Sequence, residues 1–281
     1  MIILTGSSGF IGSNFVNFFL KKKIKFYGLD KIKNPYIKFT NFSKIDLKNK
    51  IQLFNLFSKL KPKIVIHLAA DSGLNQCHLN KEQAFENNLQ STFNLLLACE
   101  KYKCKKILLT SSMAATNYEK NPSFYAFTKI ACENLFKCFR KNYNLNTIIL
   151  RFSNIFGSFS YHKKSSIHEM LKCTMRNKTF KIHGTGKQER DFLYVEDLIK
   201  KTINIMRLDQ PNLLYEIKSN KKYSINKIFL LIKKLSKKKI RSKKIKPPAA
   251  YDVSYNNLQN LKASKRLTLN LNKTINWYNS L

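Results

Sequence analysis

The 281-residue sequence predicts an α/β fold built on a doubly wound parallel sheet, with a smaller C-terminal domain after it. Short apolar and β-branched runs alternate with helix-period segments through the first two thirds of the chain, and the pattern becomes irregular from about residue 157. Such alternation is typical of parallel strands covered by helices on both faces. The predicted strands are residues 2–4, 25–29, 63–68, 106–110 and 147–150, and the predicted helices are residues 13–23, 51–60, 83–101 and 125–142.

The rest of the chain predicts a loop-rich second domain. It contains short helices, a Gly-rich hairpin candidate at residues 183–186 and a terminal helix that ends in Trp277 and Tyr278. The lysine-rich run 233–246, closed by Pro247 and Pro248, is interpreted as a helix end and a solvated turn rather than a nucleic-acid tract. We place the domain boundary between residues 157 and 158, with segments near 192–218 returning to the first domain.

The chain is strongly basic, with 52 Lys+Arg against 16 Asp+Glu and a formal net charge of +36. A hydrophobic fraction of 43% excludes a disordered basic tail, because such a tail lacks the apolar residues that form a core. Seven of the cations are Arg, the residue whose planar fork fits phosphate best. Two interpretations stay open: a Lys-rich solvated surface, or attraction of nucleic acid, an anionic membrane face or a phosphorylated small substrate.

Six cysteines form no CxxC pair, and no histidine lies at zinc-ligand spacing from them. In a chain of this length the pattern indicates free thiols in a reducing compartment, and no metal site is predicted. The sequence starts without a basic leader, and no apolar run reaches the ~18 residues of a membrane span. These features predict a cytoplasmic protein without membrane insertion.

A glycine-rich loop lies between the first predicted strand and the first predicted helix. It reads Thr-Gly-Ser-Ser-Gly-Phe-Ile-Gly over residues 5–12, with Gly6, Gly9 and Gly12 spaced GxxGxxG. The first glycine permits a tight strand exit, the second lets the backbone approach a pyrophosphate, and the third lets helix and strand pack closely. The helix N-terminus offers N–H groups and a positive dipole end to phosphates. This context predicts a Rossmann-type dinucleotide site.

Asp30 ends the second predicted strand, about 20 residues past the glycine loop. A carboxylate there accepts hydrogen bonds from the adenosine ribose hydroxyls and repels a 2′-phosphate. The Asp30 carboxylate therefore favours NAD over NADP, whereas the positive charges of Lys31 and Lys33 weaken this preference. Asp46 has two open roles, which are capping the next helix and contacting the adenine.

Tyr125 and Lys129 lie four residues apart, on one face of a predicted helix. A phenol is a poor base at neutral pH until a neighbouring positive charge stabilises its phenolate form. Such a tyrosine takes a proton from a substrate hydroxyl while hydride leaves the same carbon for nicotinamide. Ser111 and Ser112 end the preceding strand, from which a hydroxyl can reach the same substrate oxygen.

With these motifs the sequence resembles the extended short-chain dehydrogenase/reductases of the NAD-dependent sugar-nucleotide epimerase/dehydratase family, over nearly the whole chain. The segments that carry the resemblance are the glycine loop, Asp30, His-Leu-Ala-Ala at 67–70, Asn88, Ser112, the Tyr125/Lys129 pair, Arg-Phe-Ser-Asn-Ile-Phe-Gly at 151–157, and residues 184–197. The resemblance implies a Rossmann-type NAD-binding domain over residues 1–157 and a sugar-nucleotide-binding domain over 158–281. It also implies a nucleotide-sugar substrate and a homodimer.

The resemblance further implies the site residues. NAD would be bound by Gly6, Ser8, Gly9, Phe10, Ile11, Gly12, Asp30, Asp46, Leu68, Ala69, Ala70, Asn88, Tyr125 and Lys129. The sugar nucleotide would be bound by Ser112, Tyr125, Asn154 and Arg190, the last through a charge-assisted bond to phosphate. As catalytic residues, Ser112 and Tyr125 would handle the proton at the sugar hydroxyl, and Lys129 would hold the nicotinamide ribose.

Two departures from the family pattern bear on the substrate. The stretch before Tyr125 is short and has residues 113–117 in place of a Val-Tyr-Gly segment, and residues 248–252 lack a second phosphate-binding Arg. In addition, Met113 and Ala114 stand where related 4,6-dehydratases have an Asp-Glu pair, which removal of water requires as acid and base. Reversible hydride transfer at one carbon is what remains, either in a 4-epimerase that keeps its NAD bound or in a 4-reductase that uses NAD(P)H. Asp30 favours the sugar-nucleotide 4-epimerase, because a non-exchanging NAD needs no 2′-phosphate pocket.

Two alternatives to the epimerase stay open. The short chain is compatible with an NAD(P)H-dependent reductase of NDP-4-keto-6-deoxyhexoses. The charge of +36 also leaves a nucleic-acid-binding protein that keeps the fold without the chemistry, although we expect such a chain to have lost Tyr125 or Lys129. Because the groups expected to bind NAD and substrate are few and mostly neutral, most of the charge is interpreted as surface composition, and no specific nucleic-acid partner is predicted.

Overall fold

The computed structural model describes residues 1–120, 122–246 and 263–281, and the chain divides into two compact units. The first unit is Met1–Phe152 with Ile199–Ile217, and the second is Ser153–Leu198 with Lys218–Leu281. The strands are β1 (Ile2–Thr5), β2 (Phe26–Asp30), β3 (Phe42–Lys44), β4 (Ile64–His67), β5 (Lys106–Ser112), β6 (Thr147–Phe152), β7 (Asn154–Phe156), β8 (Phe180–His183), β9 (Glu189–Tyr194), β10 (Leu214–Ile217), β11 (Lys222–Ser224) and β12 (Ser242–Ile245). The helices are α1 (Phe10–Lys21), α2 (Lys50–Leu60), α3 (Leu74–Leu79), α4 (Lys81–Phe85), α5 (Ser91–Lys101), α6 (Phe124–Asn142), α7 (Ser166–Met175), α8 (Val195–Arg207), α9 (Ile225–Ser236) and α10 (Lys265–Asn279), with a π-helical turn over Glu86–Gln90 and a 3₁₀ turn over Met113–Asn117.

The first unit is built on a seven-stranded sheet in the order β10-β6-β5-β4-β1-β2-β3, in which neighbouring strands are parallel. β1 pairs with β2 on one side and with β4 on the other, so the strand order reverses at β1. Ligands of open α/β sheets bind beyond the carboxyl ends of the strands at such a reversal. The predicted α/β fold is confirmed, and the residues that follow β1 and β4 lie at the reversal point.

The central strands were predictable because both of their faces are buried. Ile3, Val65, Ile107 and Ile149 lie on four different strands, and each side chain is fully buried in one core cluster. Phe57 of α2 belongs to the same cluster. A parallel strand that is covered on both faces appears in the sequence as an uninterrupted apolar run, which is the pattern that predicted these strands.

The predicted helix over residues 83–101 is continuous in the structure but contains a π-helical turn. α4 and α5 are joined by the π-helical turn Glu86–Gln90, in which Asn87 and Asn88 are both buried. A π turn inserts one residue into an α-helix and commonly marks a functional site. Here the turn carries two consecutive amide side chains that lie away from solvent.

The second unit contains two small sheets. β11, β9 and β7 form one of them, and β12 and β8 form the other. The predicted hairpin at residues 183–186 is wrong, because β8 pairs with β12 while β9 pairs with β11 and β7. Gly184 and Gly186 have φ values of 72° and 75°, so the segment between β8 and β9 does turn, but it leads into a different sheet.

The lysine-rich run 233–246 is only partly as predicted. α9 ends inside it at Ser236, followed by Lys237 in the left-handed region at φ 54°. The predicted solvated turn is wrong for residues 242–245, which form β12 beside β8. Pro247 and Pro248 lie outside the described residues. Across the described ranges, no helix combines the length and the apolar character that a membrane span requires.

Candidate functional site

The glycine loop connects β1 to α1 through close backbone contacts. Gly6 has φ 68°, and a Cβ atom on it would lie 2.6 Å from the backbone N of Ala69. A Cβ atom on Gly12 would lie 2.0 Å from the carbonyl O of Gly6. The start of α1, the end of β1 and the residues after β4 therefore approach each other more closely than side chains allow, as the sequence predicted for these two glycines.

Gly9 occupies the N-cap position of α1, and unlike Gly6 and Gly12 it is not required by the backbone packing. Its φ of −74° suits any residue, and a Cβ atom on it would have one neighbour within 4 Å, the carbonyl O of Gly6 at 3.4 Å. No side chain caps the helix, whose first-turn N–H groups lack intrahelical acceptors by geometry. The absent side chain thus leaves open space in front of a helix N-terminus, a cradle whose donors and dipole fit a pyrophosphate.

The Asp30 carboxylate lies beside this loop. Ser8 donates its backbone N–H to Oδ2 at 2.9 Å, and Ile32 donates its N–H to Oδ1 at 3.3 Å. Burial raises the pKa of the Asp30 carboxyl, and these N–H donors oppose the shift. Each carboxylate oxygen keeps capacity for a further bond, so Asp30 can hold the loop and accept a ribose hydroxyl as well.

Asn34 was missed at the sequence level and also holds the glycine loop. Its Nδ2 donates to the carbonyl O of Ser7 and to Ser13 Oγ, each at 2.9 Å, while its Oδ1 accepts the N–H groups of Tyr36 and Ile37. The local signal is weak, since an Asn within a turn usually serves its own backbone. The bonds to Ser7 and Ser13 became evident only from the fold.

Asp46 does not cap α2. That role belongs to Asn49, whose Oδ1 accepts the N–H of Gln52 at 3.0 Å. The Asp46 carboxylate instead accepts the N–H of Lys48 at 3.0 Å, and its other oxygen lies 3.4 Å from Lys31 Nζ. Of the two roles considered for Asp46, helix capping is therefore wrong, and contact with the adenine stays a prediction.

His67 ends β4 directly before the predicted cofactor residues Leu68, Ala69 and Ala70, and it is fully enclosed. Its Nδ1 lies 2.8 Å from Thr5 Oγ1 and its Nε2 lies 3.0 Å from Thr92 Oγ1. Burial, and secondarily the positive charge of Lys129, lowers the pKa of His67 to about 3. A neutral imidazole thus connects the end of β1 to α5.

Asn88 joins the segment after β4 to α6. Its Oδ1 accepts the N–H of Asp71 at 2.7 Å, and its Nδ2 donates to the carbonyl O of Asp71 at 3.1 Å and to Thr128 Oγ1 at 3.0 Å. Thr128 directly precedes Lys129. The polar side chain of the π turn therefore positions the helix that carries the predicted catalytic pair.

Tyr125 and Lys129 lie together on α6, as predicted. The Lys129 ammonium lies 5.9 Å from the centroid of the Tyr125 ring and donates to the carbonyl O of Thr110 at 3.0 Å. Only 4% of Lys129 is exposed. A buried ammonium beside a phenol supplies a positive charge that water screens little.

Ser112 lies at the end of β5. Its Oγ accepts the N–H of Ala114 at 3.1 Å, which begins the 3₁₀ turn Met113–Asn117. α6 begins after this turn, where Ser123 Oγ accepts the N–H of Ala126 at 3.1 Å. Two serine caps therefore bracket the short connection, which accounts for an ordered start of the helix that carries Tyr125.

The predicted substrate residues Asn154 and Arg190 lie in the second unit. Asn154 Nδ2 donates to the carbonyl O of Asp191 at 3.3 Å, from β7 to β9. Arg190 Nη1 donates to the carbonyl O of Glu189 at 2.9 Å. The Asp191 carboxylate accepts the N–H and the hydroxyl of Ser219 at 2.9 and 3.0 Å, so this end of β9 is firmly held. Residues 248–252, where a second arginine is missing, lie outside the described residues.

Comparison with known proteins places this site in context. Residues 2–217 match the model of the NAD dependent epimerase/dehydratase family. A dTDP-D-glucose 4,6-dehydratase of Dictyostelium discoideum is 30% identical over 77% of this chain, which spans 57% of that protein. A UDP-glucuronate 4-epimerase of Thermodesulfobacterium geofontis is 28% identical over 85% of this chain and 81% of its own length. The fold matches that of UDP-glucose 4-epimerase from Thermotoga maritima, solved with UDP-glucose, with a TM-score of 0.87 and 22% identity over 99% of this chain and 98% of that one.

Proposed function

Because the chain belongs to the NAD dependent epimerase/dehydratase family, whose members are enzymes, we propose that it is an NAD-dependent sugar-nucleotide 4-epimerase. The reaction would be a reversible hydride transfer at C4 of an NDP-hexose. The observation that carries the proposal is the buried Lys129 ammonium beside Tyr125, on the helix that Asn88 connects to the segment after β4. Lysine side chains are rarely buried this deeply, which favours a role in the site over a purely structural one.

The chain's own residues would hold NAD at the carboxyl ends of β1, β2 and β4. Gly6, Gly9 and Gly12 provide the cradle for the pyrophosphate, and Asp30 accepts the adenosine ribose hydroxyls. When bound, NAD supplies the site that accepts hydride from the sugar and returns it. Lys129 would contact the nicotinamide ribose while keeping its bond to the Thr110 carbonyl.

Tyr125 would take the proton from the C4 hydroxyl as hydride leaves that carbon, and return it when hydride adds to the other face. Lys129 stabilises the phenolate by charge. The Ser112 hydroxyl would donate to the same sugar oxygen. Its Oγ accepts from Ala114, so the hydroxyl proton is directed elsewhere and is available for the substrate.

The 4,6-dehydratase reaction fits this chain less well than epimerisation. Elimination of water requires an acid for the leaving hydroxyl and a base at the neighbouring carbon. Met113 and Ala114 follow Ser112 and begin the 3₁₀ turn, and neither side chain transfers a proton. Dehydratases and epimerases both occur among the relatives, and this pair of residues favours the epimerase.

Asn154 and Arg190 would bind the sugar nucleotide, Arg190 through its charge. These two residues do not specify a particular nucleotide or hexose, so the experiment varies both. The full-length chain is incubated with UDP-, GDP-, dTDP- and CDP-hexoses without added dinucleotide or reductant, and the products are identified by NMR.

The proposal predicts C4 epimers from at least one of these hexoses. No epimer from any of them would count against it. Oxidation of added NADH or NADPH with an NDP-4-keto-6-deoxyhexose, without epimerisation, would identify a reductase instead.

A further inference from the structure

We propose that Asp46 and Asn87 withhold the Lys31 ammonium from a 2′-phosphate, so that this restraint sets the preference for NAD over NADP. The inference rests on the proposed function only through the dinucleotide site. It concerns a lysine that the sequence places next to Asp30, where it works against that preference.

Lys31 directly follows Asp30, the residue expected to accept the ribose hydroxyls. A cation at this edge of a dinucleotide site is what accommodates a 2′-phosphate. By composition alone, the loop after β2 is suited to NADP as well as to NAD, because it carries Lys31 and Lys33 next to one carboxylate. The position of the Lys31 ammonium therefore decides whether the loop favours NAD, through Asp30, or NADP, through the lysine.

In the structure the Lys31 ammonium is held by two acceptors. Its Nζ donates to Asn87 Oδ1 at 2.5 Å and lies 3.4 Å from Asp46 Oδ2. A short charge-assisted bond to a buried amide is the stronger of these, since the side chains of Lys31 and Asp46 are 46% and 37% exposed and water weakens the ion pair.

Asn87 is fixed in the orientation that accepts from Lys31. Its Nδ2 donates to Asp71 Oδ2 at 2.9 Å, so its carbonyl oxygen points toward the ammonium. It is 8% exposed and lies in the π-helical turn, next to Asn88. Asp46 is held in turn by the N–H of Lys48. Side chains from the segments after β2, β3 and β4 and from the π turn thus form the continuous chain Asp46–Lys31–Asn87–Asp71.

The π turn places two neighbouring amide side chains against different parts of the first unit. Asn87 and Asn88 are both buried. Asn88 contacts α6, while Asn87 contacts the loop after β2.

A competition experiment on the full-length chain tests the proposal without using turnover. Wild type, Asn87→Ala, Lys31→Ala and the double variant are dialysed to equilibrium against equal concentrations of NAD⁺ and NADP⁺. The bound dinucleotides are released with acid and quantified by chromatography. Lys33→Ala, alone and combined with Asn87→Ala, is the matched control for an exposed lysine in the same loop. Asn87→Ser, whose hydroxyl is shorter, serves if Asn87→Ala does not fold.

We expect wild type to retain mainly NAD⁺. Asn87→Ala should raise the ratio of bound NADP⁺ to NAD⁺ by about fivefold, the size expected when one charged hydrogen bond at a half-exposed site is lost. The increase should vanish in the Lys31→Ala background and persist in the Lys33→Ala background.

A ratio in Asn87→Ala within twofold of wild type would overturn the inference, and so would an equal increase without Lys31. Wild-type protein that retains neither dinucleotide would contradict the proposed function itself, which separates the two failures.

Discussion

Glu133 of α6 and Arg151 of β6 form a two-bond ion pair inside the first unit. Arg151 Nε donates to Oε1 at 2.9 Å and Nη2 donates to Oε2 at 2.7 Å, while Ser111 Oγ donates to Oε1 at 2.6 Å. Glu133 is 1% exposed. Because Glu133 lies one helical turn after Lys129, and Ser111 directly precedes Ser112, the pair fixes the helix of the proposed catalytic residues to the strand end that carries the serine.

Removing one partner of this pair should be costly. Glu133→Ala removes the carboxylate that pairs with the Arg151 guanidinium, whose side chain is only 18% exposed, and we expect a loss of about 3 kcal/mol in the free energy of unfolding. The double variant Glu133→Met/Arg151→Met should lose clearly less, because no charge is left unpaired. Urea denaturation of wild type, Glu133→Ala and the double variant checks this, and a double variant at least as unstable as Glu133→Ala would contradict it.

The glycine loop offers a matched pair of substitutions. Gly12→Ala places a Cβ atom 2.0 Å from a backbone carbonyl, so we expect a loss of about 3 kcal/mol or more in the free energy of unfolding. Gly9→Ala meets its neighbour at an ordinary 3.4 Å and should cost less than about 1 kcal/mol, while NAD retention falls about tenfold or more. Thermal denaturation and quantification of bound NAD separate the two effects. A Gly9→Ala protein with undiminished NAD would remove this residue from the pyrophosphate site.

Histidine burial makes stability dependent on pH. The pKa of His67 is about 3, whereas a histidine of the unfolded chain has a pKa of about 6.5. Between these values the unfolded chain binds a proton that the folded chain does not. The free energy of unfolding should therefore be fully present above pH ~6.5 and fall, by at most about 1.4 kcal/mol per pH unit for this residue, as the pH drops toward ~3.

Urea denaturation between about pH 7 and pH 5 measures this slope, comparing wild type with His67→Asn. The variant should be less stable at neutral pH, since it loses bonds to Thr5 and Thr92, but its stability should depend less steeply on pH. His168, in the second unit, has a pKa lowered to about 3 by burial and should contribute a similar slope. Equal slopes in wild type and His67→Asn would show that His67 accepts a proton in the folded state.

Tyr125→Phe should abolish turnover and leave the cofactor in place. Removing the phenol removes the group that exchanges the C4 proton, and general acid–base contributions of this kind are worth about 100-fold to 10,000-fold in rate. NAD retention should not change, because the glycine loop and Asp30 are intact. Tyr143→Phe, at the exposed end of the same helix, is the control and should keep wild-type turnover. An active Tyr125→Phe enzyme would remove Tyr125 from the mechanism.

The sequence was most informative where the chemistry is local. Gly6 and Gly12 were predictable because a tight strand-to-helix turn demands glycine within eight residues, and the Tyr125/Lys129 spacing follows from one helical turn. Contacts between residues far apart in the chain could not be predicted from the sequence. Glu133 meets Arg151 only when α6 packs against β6, and Lys31 meets Asn87 only when the π turn lies beside the loop after β2.

In the second unit, a local sequence pattern predicted a strand pairing that the structure does not have. Residues 183–186 have the glycines of a hairpin, but strand pairing depends on which edges are available, and β8 pairs with β12 from a lysine-rich run. That strand has three exposed residues of its four, so it lacks the apolar alternation by which strands are detected in a sequence.

The path of hydrogen at C4 tests the central claim most directly. An NDP-hexose that carries deuterium at C4, with the nucleotide and sugar identified in the panel above, is incubated in ordinary water with the full-length chain and no added dinucleotide. The account predicts that the C4 epimer forms with deuterium retained at C4, because hydride leaves and returns to the same carbon without exchange with water. Loss of the deuterium to solvent, or no C4 epimer from any hexose tested, would contradict it.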